Sequence, residues 1–345
     1  MNAAASSETG QEVGRSADAT VTVVIPAHDA EATIGAAIES VMNQTSAVLE
    51  VIVVDDGSSD ATSRVASGAA GAGGGAGGGS VPVKVIAQRQ GGPSGARNAG
   101  IAAARGSWIG FLDADDRWRP RKLELQLGVV AQHPDAVVVA SDWVREEGSM
   151  REEGEASMPG CTALSDRDIL ILNRFQTSTA LCRTDVLRSL GGFNRSLDGV
   201  EDWDMWLRLA GVGKVLKLDM PLVVYRDSSG GYSKDLWRVY STMLAMLDGQ
   251  PTSQASRRLR RCGWRRGSGP VEHAASPGVE AVLCWHHLRF VVAFSLLRNW
   301  TGTTRVLAEM RRRSMLRWIP VAAVFYLAPF LFRRLERRFR RLVLR

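Results

Sequence analysis

"VTVVIPAHDAEATIGAAIESVMNQTSAVLEVIVVDDGSSD", residues 21–60, decides the fold. Residues 21–26 are a β-branched run closed by proline, the pattern of a buried strand. Residues 31–44 then repeat apolar side chains at helical spacing, with Ile34, Ala37, Ile38 and Val41 on one face. Residues 48–60 return to a β-branched run that ends in a polar turn, and a further helix is expected from Asp60 or Ala61. Strand, helix and strand in so short a span form the βαβ unit of a parallel sheet.

Working outward, "VPVKVIAQ" (81–88) resumes as a strand and "GGPSGARNAGIAAARG" (91–106) reads as a glycine-rich loop opening a short helix. "WIGFLDADD" (108–116) is a fourth strand with its acids at the carboxyl end, and "AVVVASDWV" (136–144) another. Helical periodicity returns at 185–190 and in "EDWDMWLRLAG" (201–211), followed by a late strand, "LKLDMPLVVYR" (216–226). The low-complexity stretch 67–80 reads as a flexible surface insertion, and 145–160 is acidic and loop-like. In open α/β sheets the ligand crevice lies outside the carboxyl ends of the strands. Asp55, Asp56, Asp113 and Asp115 all fall there.

The 345 residues are ordinary in composition, with 45% hydrophobic and 23% charged, and a net charge of +7 that hides an asymmetry. Residues 251–345 carry 20 Arg, no Lys and 4 acidic residues, a net +16, whereas the first 250 carry 23 basic and 32 acidic residues, a net −9. Such a split suggests a catalytic body joined to a segment that meets an anionic surface. Cys161, Cys182, Cys262 and Cys284 show no metal spacing and read as reduced thiols of a cytosolic compartment. Residues 1–19 have neither a basic start nor an apolar core, and read as a disordered tail rather than a signal peptide.

Each acidic stretch has two readings. "FLDADDRW" (111–118) is either a polar turn closing a strand or a site for a hard divalent cation, which prefers several carboxylate oxygens. "VVDDGSSD" is either an Asx turn capping the next helix or an acid accepting hydrogen bonds from a ligand. In "GVEDWDMWLRLAG", Glu201 and Asp202 sit near a helix start, where the dipole favours anions. They either cap a helix with core tryptophans or line a pocket in which Trp203 and Trp206 pack against a sugar face. The adjacent His286 and His287 would point about 100° apart on a helix, which favours a structural role. The loop at 91–106 lacks both the P-loop and the dinucleotide signature, although Arg97 has the planar guanidinium that suits a phosphate.

Taken together, these stretches resemble family 2 glycosyltransferases of GT-A fold, over roughly residues 20–245. The resemblance implies an α/β, Rossmann-like mixed sheet over 20–247, followed by a helical, Arg-rich C-terminal extension over 248–345. It implies inverting transfer of a sugar from a nucleotide-diphosphate sugar to a hydroxyl acceptor. By motif, Pro26, Ala27 and His28 contact the nucleotide, Asp56 binds the base with Asp55 beside it, and Arg97 lies near the diphosphate. Asp113, Ala114 and Asp115 form the D-x-D motif, with Asp115 and Asp113 as ligands to Mg²⁺ or Mn²⁺. Asp202 is the general base, supported by Glu201. Two features depart from the family pattern: Asp227 stands where many relatives have a histidine, and the Q-x-x-R-W motif of processive synthases is absent. The first leaves a third protein ligand to the metal unassigned, whereas the missing motif and the lack of large multi-span transmembrane regions point to single-sugar transfer rather than polymerisation. A sugar-phosphate nucleotidyltransferase would need a "GGxGTR"-like opening loop, which is missing. A catalytically degenerate sugar- or nucleotide-binding partner at the membrane would be expected to have lost Asp115 or Asp202.

"WIPVAAVFYLAPFLF" (318–332) would span ~22 Å as a helix, short of the ~30 Å hydrocarbon core, and Pro320 and Pro329 interrupt it. With the Arg-rich stretch behind it, the segment 315–341 reads as an interfacial anchor on an anionic leaflet, or else as helices packed on the catalytic domain. Nothing in the acidic body resembles a nucleic-acid reader. The expected partners are therefore the donor, a glycan or lipid-linked acceptor, and the cytoplasmic face of an anionic membrane.

Overall fold

A computed structural model describes residues 19–69, 81–145, 159–226, 235–248, 277–315 and 318–327. The N-terminal tail before Ala19, the glycine-rich insertion from residue 70, Cys262, Asp227 and the end of the 315–341 segment lie outside the described residues.

Nine strands among the described residues form one mixed sheet, in the order β3-β2-β1-β4-β8-β6-β9-β5, with β7 pairing β9 off this path. The strands are β1 (Val21–Ala27), β2 (Glu50–Asp55), β3 (Val83–Ala87), β4 (Trp108–Phe111), β5 (Arg117–Trp118), β6 (Ala136–Arg145), β7 (Cys161–Leu164), β8 (Leu181–Arg183) and β9 (Lys214–Tyr225). β1 is parallel to both β2 and β4, and β2 is parallel to β3. β8 then runs antiparallel between β4 and β6. The parallel half thus ends at the strand that carries the acidic turn.

Side chains alternate across β1. Val24 joins the core on one face, and Val21, Val23 and Ile25 join the core on the other, as a strand covered on both sides requires. Helices α1 (Ile34–Met42) and α4 (Lys122–Gln132) cover the second face. The first face receives α3 (Gly92–Ala103), α5 (Asp166–Ile171), α6 (Thr184–Ser189) and α7 (Glu201–Ala210). A short helix, α2 (Thr62–Gly68), follows β2. α3 crosses β1 so closely that a Cβ on Gly100 would collide with Val24 Cγ1.

Four later helices extend the first face: α8 (Leu236–Leu247), α9 (Pro277–Leu296), α10 (Trp300–Arg312) and α11 (Ile319–Leu327). α9 is tied to α5, because Trp285 Nε1 donates to Ile171 O at 3.2 Å and His286 Nε2 lies 3.1 Å from Leu170 O. His287 Nδ1 lies 2.8 Å from the Tyr240 hydroxyl. Burial pushes His286 down to about 3 and His287 to about 4, so both are neutral in the core at neutral pH. Arg313 closes the group through two bonds to Asp248, at 2.7 and 2.6 Å. Helices α9 and α10 therefore pack on the sheet domain. Among the described residues, no helix is long and apolar enough to cross a membrane. Cys161 and Cys182 are free thiols.

Candidate active site

β1 and β2 end side by side, and their ends carry the first predicted residues. Ala27 O accepts the amide of Asp56 at 2.8 Å, which fixes the two strand ends in register. Pro26 and the buried Ala27 close β1, and His28 follows, exposed, with its Nε2 3.0 Å from Gln90 Nε2. The Asp55 carboxylate accepts from Ser58 N at 2.9 Å and from Ser63 Oγ. Burial raises its pKa, but these bonds outweigh burial and hold Asp55 below the usual carboxylate range. Asp56 faces the glycine loop, accepting from Gly91 N at 2.9 Å, Gly92 N at 2.8 Å and Gln88 Nε2 at 2.5 Å. It thereby satisfies amides at the start of α3 that have no partner within the helix.

That docking aims α3 into the molecule. Arg97, 5% exposed, lies on its buried face. Nη1 donates to Glu201 Oε1 and Nη2 to Asp113 Oδ1, each at 2.8 Å, and the guanidinium sits 5.5 Å from the Phe193 ring centroid. The residue that the sequence resemblance puts near the diphosphate thus bridges the two acidic motifs. A buried carboxylate needs such a partner. Glu201 also accepts the Gly199 amide at 2.5 Å.

The acidic turn is held from below by Ser178. Its hydroxyl accepts the Asp113 amide at 3.0 Å and donates to Asp116 Oδ2 at 2.5 Å, while Asp116 Oδ1 accepts the Arg226 amide at 3.0 Å. Asp116 is buried, Ala114 is buried, and Asp113 and Asp115 are partly exposed. Burial first, and then the charges of Asp113 and Asp115, push Asp116 up to about 8. A cleft of about 210 Å³ opens beside the turn, lined by Ala32, Thr33, Ala36, Asp115, Arg117 and Arg226.

Asp202 stands next to Glu201 at the start of α7. Its Oδ2 accepts from Asn173 Nδ2 at 2.8 Å and its Oδ1 from the Trp203 amide at 2.6 Å. Burial, followed by the neighbouring Glu201 charge, pushes its pKa up to about 7. A carboxylate poised there can take a proton at neutral pH. Trp203 and Trp206 are both buried in the core: Trp203 Nε1 donates to Ile169 O at 2.6 Å, and the Trp206 ring packs 4.7 Å from that of Phe175.

Asp113 and Asp115 offer the hard oxygen donors that Mg²⁺ or Mn²⁺ prefers, beside an open cleft. Among the described residues there is no group of three or more His, Cys, Asp or Glu side chains arranged to hold a metal ion. The donor set therefore fits an ion that takes its remaining ligands from substrate phosphate and water, the usual habit of Mg²⁺.

Ser178 and Asn173 escaped the sequence reading. Asn173 lies in an irregular stretch and Ser178 in a single 3₁₀ turn, Thr177–Thr179, and each meets its acidic partner only through the fold, 62 positions away for Asp116 and 29 for Asp202. No local pattern marks either one.

Residues 22–191 match the model for glycosyl transferase family 2. A curated relative, the succinoglycan biosynthesis protein ExoO of Rhizobium meliloti, is 45% identical over 104 residues, which is 30% of this chain and 27% of that protein. The chain spans less than two thirds of the length of the curated relatives it matches, for example 64% and 27% of two others. Among solved structures, S. aureus TarS 1-349 in complex with UDP-GlcNAc aligns with a TM-score of 0.55 at 17% identity, covering 86% of this chain and 92% of that one. The mannosyltransferase PcManGT of Pyrobaculum calidifontis, in complex with GDP-Man and Mn²⁺, aligns with a TM-score of 0.51 at 19% identity, covering 90% and 87%. At these identities the likeness gives the fold, which is GT-A.

Proposed function

We propose that the chain is a glycosyltransferase of family 2, whose model matches residues 22–191, and that it moves a sugar from a nucleotide-diphosphate donor to a hydroxyl acceptor with inversion. The observation that carries this reading is the Arg97 fork, which ties Asp113 of the acidic turn to Glu201 beside Asp202. One guanidinium thus spans the donor-side acids and the candidate base.

In this reading Asp202 accepts the proton of the acceptor hydroxyl. The acceptor oxygen bonds to the anomeric carbon as the bond from that carbon to the diphosphate oxygen breaks, and the electron pair leaves on the diphosphate. A single displacement with no protein nucleophile inverts the anomeric centre. Glu201 and Arg97 hold Asp202 and Asp113 in relative position, so the protein's main contribution is to orient two substrates in one cleft. Pro26, Ala27, His28, Asp55 and Asp56 border the nucleotide, and Ala114 lies beside the sugar phosphate. Asp115, with Asp113, would hold Mg²⁺ or Mn²⁺, which neutralises charge on the departing diphosphate.

The acceptor is a glycan or a lipid-linked sugar, met at the cytoplasmic face of an anionic membrane. The similarity to a succinoglycan biosynthesis protein supports a role in envelope or polysaccharide synthesis. The test is a panel of UDP-, GDP- and dTDP-sugars, with and without Mn²⁺, followed by released nucleotide and by calorimetric binding of each nucleotide diphosphate. One donor base is expected to bind and its sugar donor to be cleaved, with both lost in Asp115→Ala. A chain that binds none of the three diphosphates is not a transferase of this kind.

A further inference from the structure

Among the described residues five large apolar side chains are exposed, and three of them fall within five positions: Leu296 at 51%, Leu297 at 66% and Trp300 at 54%. They crown the turn between α9 and α10. The turn is built so that they cannot fold inward. Asn299 N donates to Phe294 O at 2.8 Å, and the Asn299 side chain caps α10 by accepting from Gly302 N at 2.9 Å. Arg298 adopts a left-handed conformation, with φ of 53°. Beneath it the Phe294 ring fills the interior so tightly that a Cβ on Gly302 would collide with it.

The surroundings are cationic. Residues 289–317 contain seven Arg and one acidic residue, Glu309, and Glu309 is already paired with Arg312 and Arg313. Arg298, Arg305, Arg311 and Arg312 are exposed. Trp300 packs 5.3 Å from the Tyr326 ring of α11, a pairing of amphipathic rings suited to a membrane–water boundary. A chain of contacts links the helices that flank the turn to the site. Phe294 and Arg305 both pack on Trp237, at 6.4 and 5.0 Å. The next residue, Arg238, donates to Asp198 O at 3.3 Å, and the Asp198 carboxylate accepts from Ser94 on the Arg97 helix.

We propose that the α9–α10 turn inserts Leu296, Leu297 and Trp300 into an anionic lipid bilayer, with Arg298, Arg305 and Arg311 on the headgroup phosphates. An apolar tip with an exposed Arg298 inside it and further exposed Arg along α10 has the chemistry of an interfacial anchor. This adds the α9–α10 turn to the 315–341 segment that composition picks out, whose Tyr326 packs on Trp300. It rests on the proposed membrane setting of the transferase, but its readout is lipid binding, which needs neither donor nor acceptor.

The test is co-sedimentation of the full chain with vesicles of mixed phosphatidylcholine and phosphatidylglycerol, against pure phosphatidylcholine. The comparison protein is the triple variant Leu296→Ser, Leu297→Ser, Trp300→Ser. The wild-type chain is expected to bind the mixed vesicles, and the variant to bind about tenfold more weakly. Nucleotide diphosphate binding should not change in the variant, and thermal unfolding should fall only slightly, through loss of the Trp300–Tyr326 ring contact. A wild-type chain that ignores anionic vesicles overturns the proposal, as does a variant that binds them equally well. A wild-type dimer that the variant dissolves, without lipid binding, assigns the turn to a second copy of the chain and overturns it too.

Discussion

Arg97 Nη1 lies 2.8 Å from Glu201 Oε1, between side chains that are only 6% and 10% exposed. The same guanidinium reaches Asp113 through Nη2 at 2.8 Å. A residue on the third helix therefore sets the distance between the turn after β4 and the start of α7. Planarity matters here, since the two donors leave the guanidinium in fixed directions, which a lysine ammonium cannot reproduce.

Removing this link should damage both stability and turnover. Arg97→Met leaves the Glu201 carboxylate buried without its cation, a loss of about 3–5 kcal/mol for a broken buried pair. Denaturant unfolding measures it. Adding Glu201→Gln should recover a large part of that stability without recovering activity. Recovery of activity in the double variant would show that the bridge is only structural.

The acid limb of the pH–rate profile should report Asp202. Its pKa is raised to about 7, so the base form, and with it kcat, should fall about tenfold per pH unit below that value. The Asn173 hydrogen bond favours the ionised form, and its removal in Asn173→Ala should move the limb to higher pH. A limb that stays in place in Asn173→Ala would assign the titration to another group.

The close approach of α3 to β1 gives a packing test. Gly100→Ala should destabilise the protein by about 1–3 kcal/mol through overpacking against Val24. Combining it with Val24→Ala should cost less than the sum of the two single changes, because the second makes room for the first. Strict additivity would mean that the helix shifts instead.

Much of this arrangement was legible along the chain. β1, β2 and β4 are buried on both faces and so read as unbroken apolar runs. Asp55, Asp113 and Asp202 stood out because acids directly follow such runs or open a periodic helix. β5, β7 and β8 were not legible: they have two, four and three residues and exist only because neighbouring strands pair with them. Arg97 was visible as a cation, but its direction was not, since its two partners lie 16 and 104 positions away. The same distance in sequence hid Ser178 and Asn173. Composition pointed to the charge of the C-terminal helices, yet the apolar turn at Leu296 and Leu297 follows a helix whose own sequence looks like ordinary core.

The ion pairs of Glu309 at the end of α10 should weaken in acid. Glu309 is held down to about 2 by hydrogen bonds from Arg312 and Arg313, which outweigh its burial. Its folded pKa lies below the ordinary value of 4.5, so its stabilisation is complete above that value. It is then lost as pH falls through about 2. Thermal unfolding of Glu309→Gln should therefore depend less on pH over this window than that of the wild-type chain. Parallel curves for the two proteins would exclude these ion pairs as a source of acid sensitivity.

The most direct measurement is turnover of Asp202→Asn on whichever donor and acceptor the wild-type chain uses, with donor binding measured alongside by calorimetry. Asn keeps the size of the side chain and removes its basicity. The expected loss in kcat is about 10²–10⁴-fold, with donor affinity nearly unchanged. Near-normal turnover in Asp202→Asn would contradict it, because the proton of the acceptor hydroxyl would then be leaving by another route.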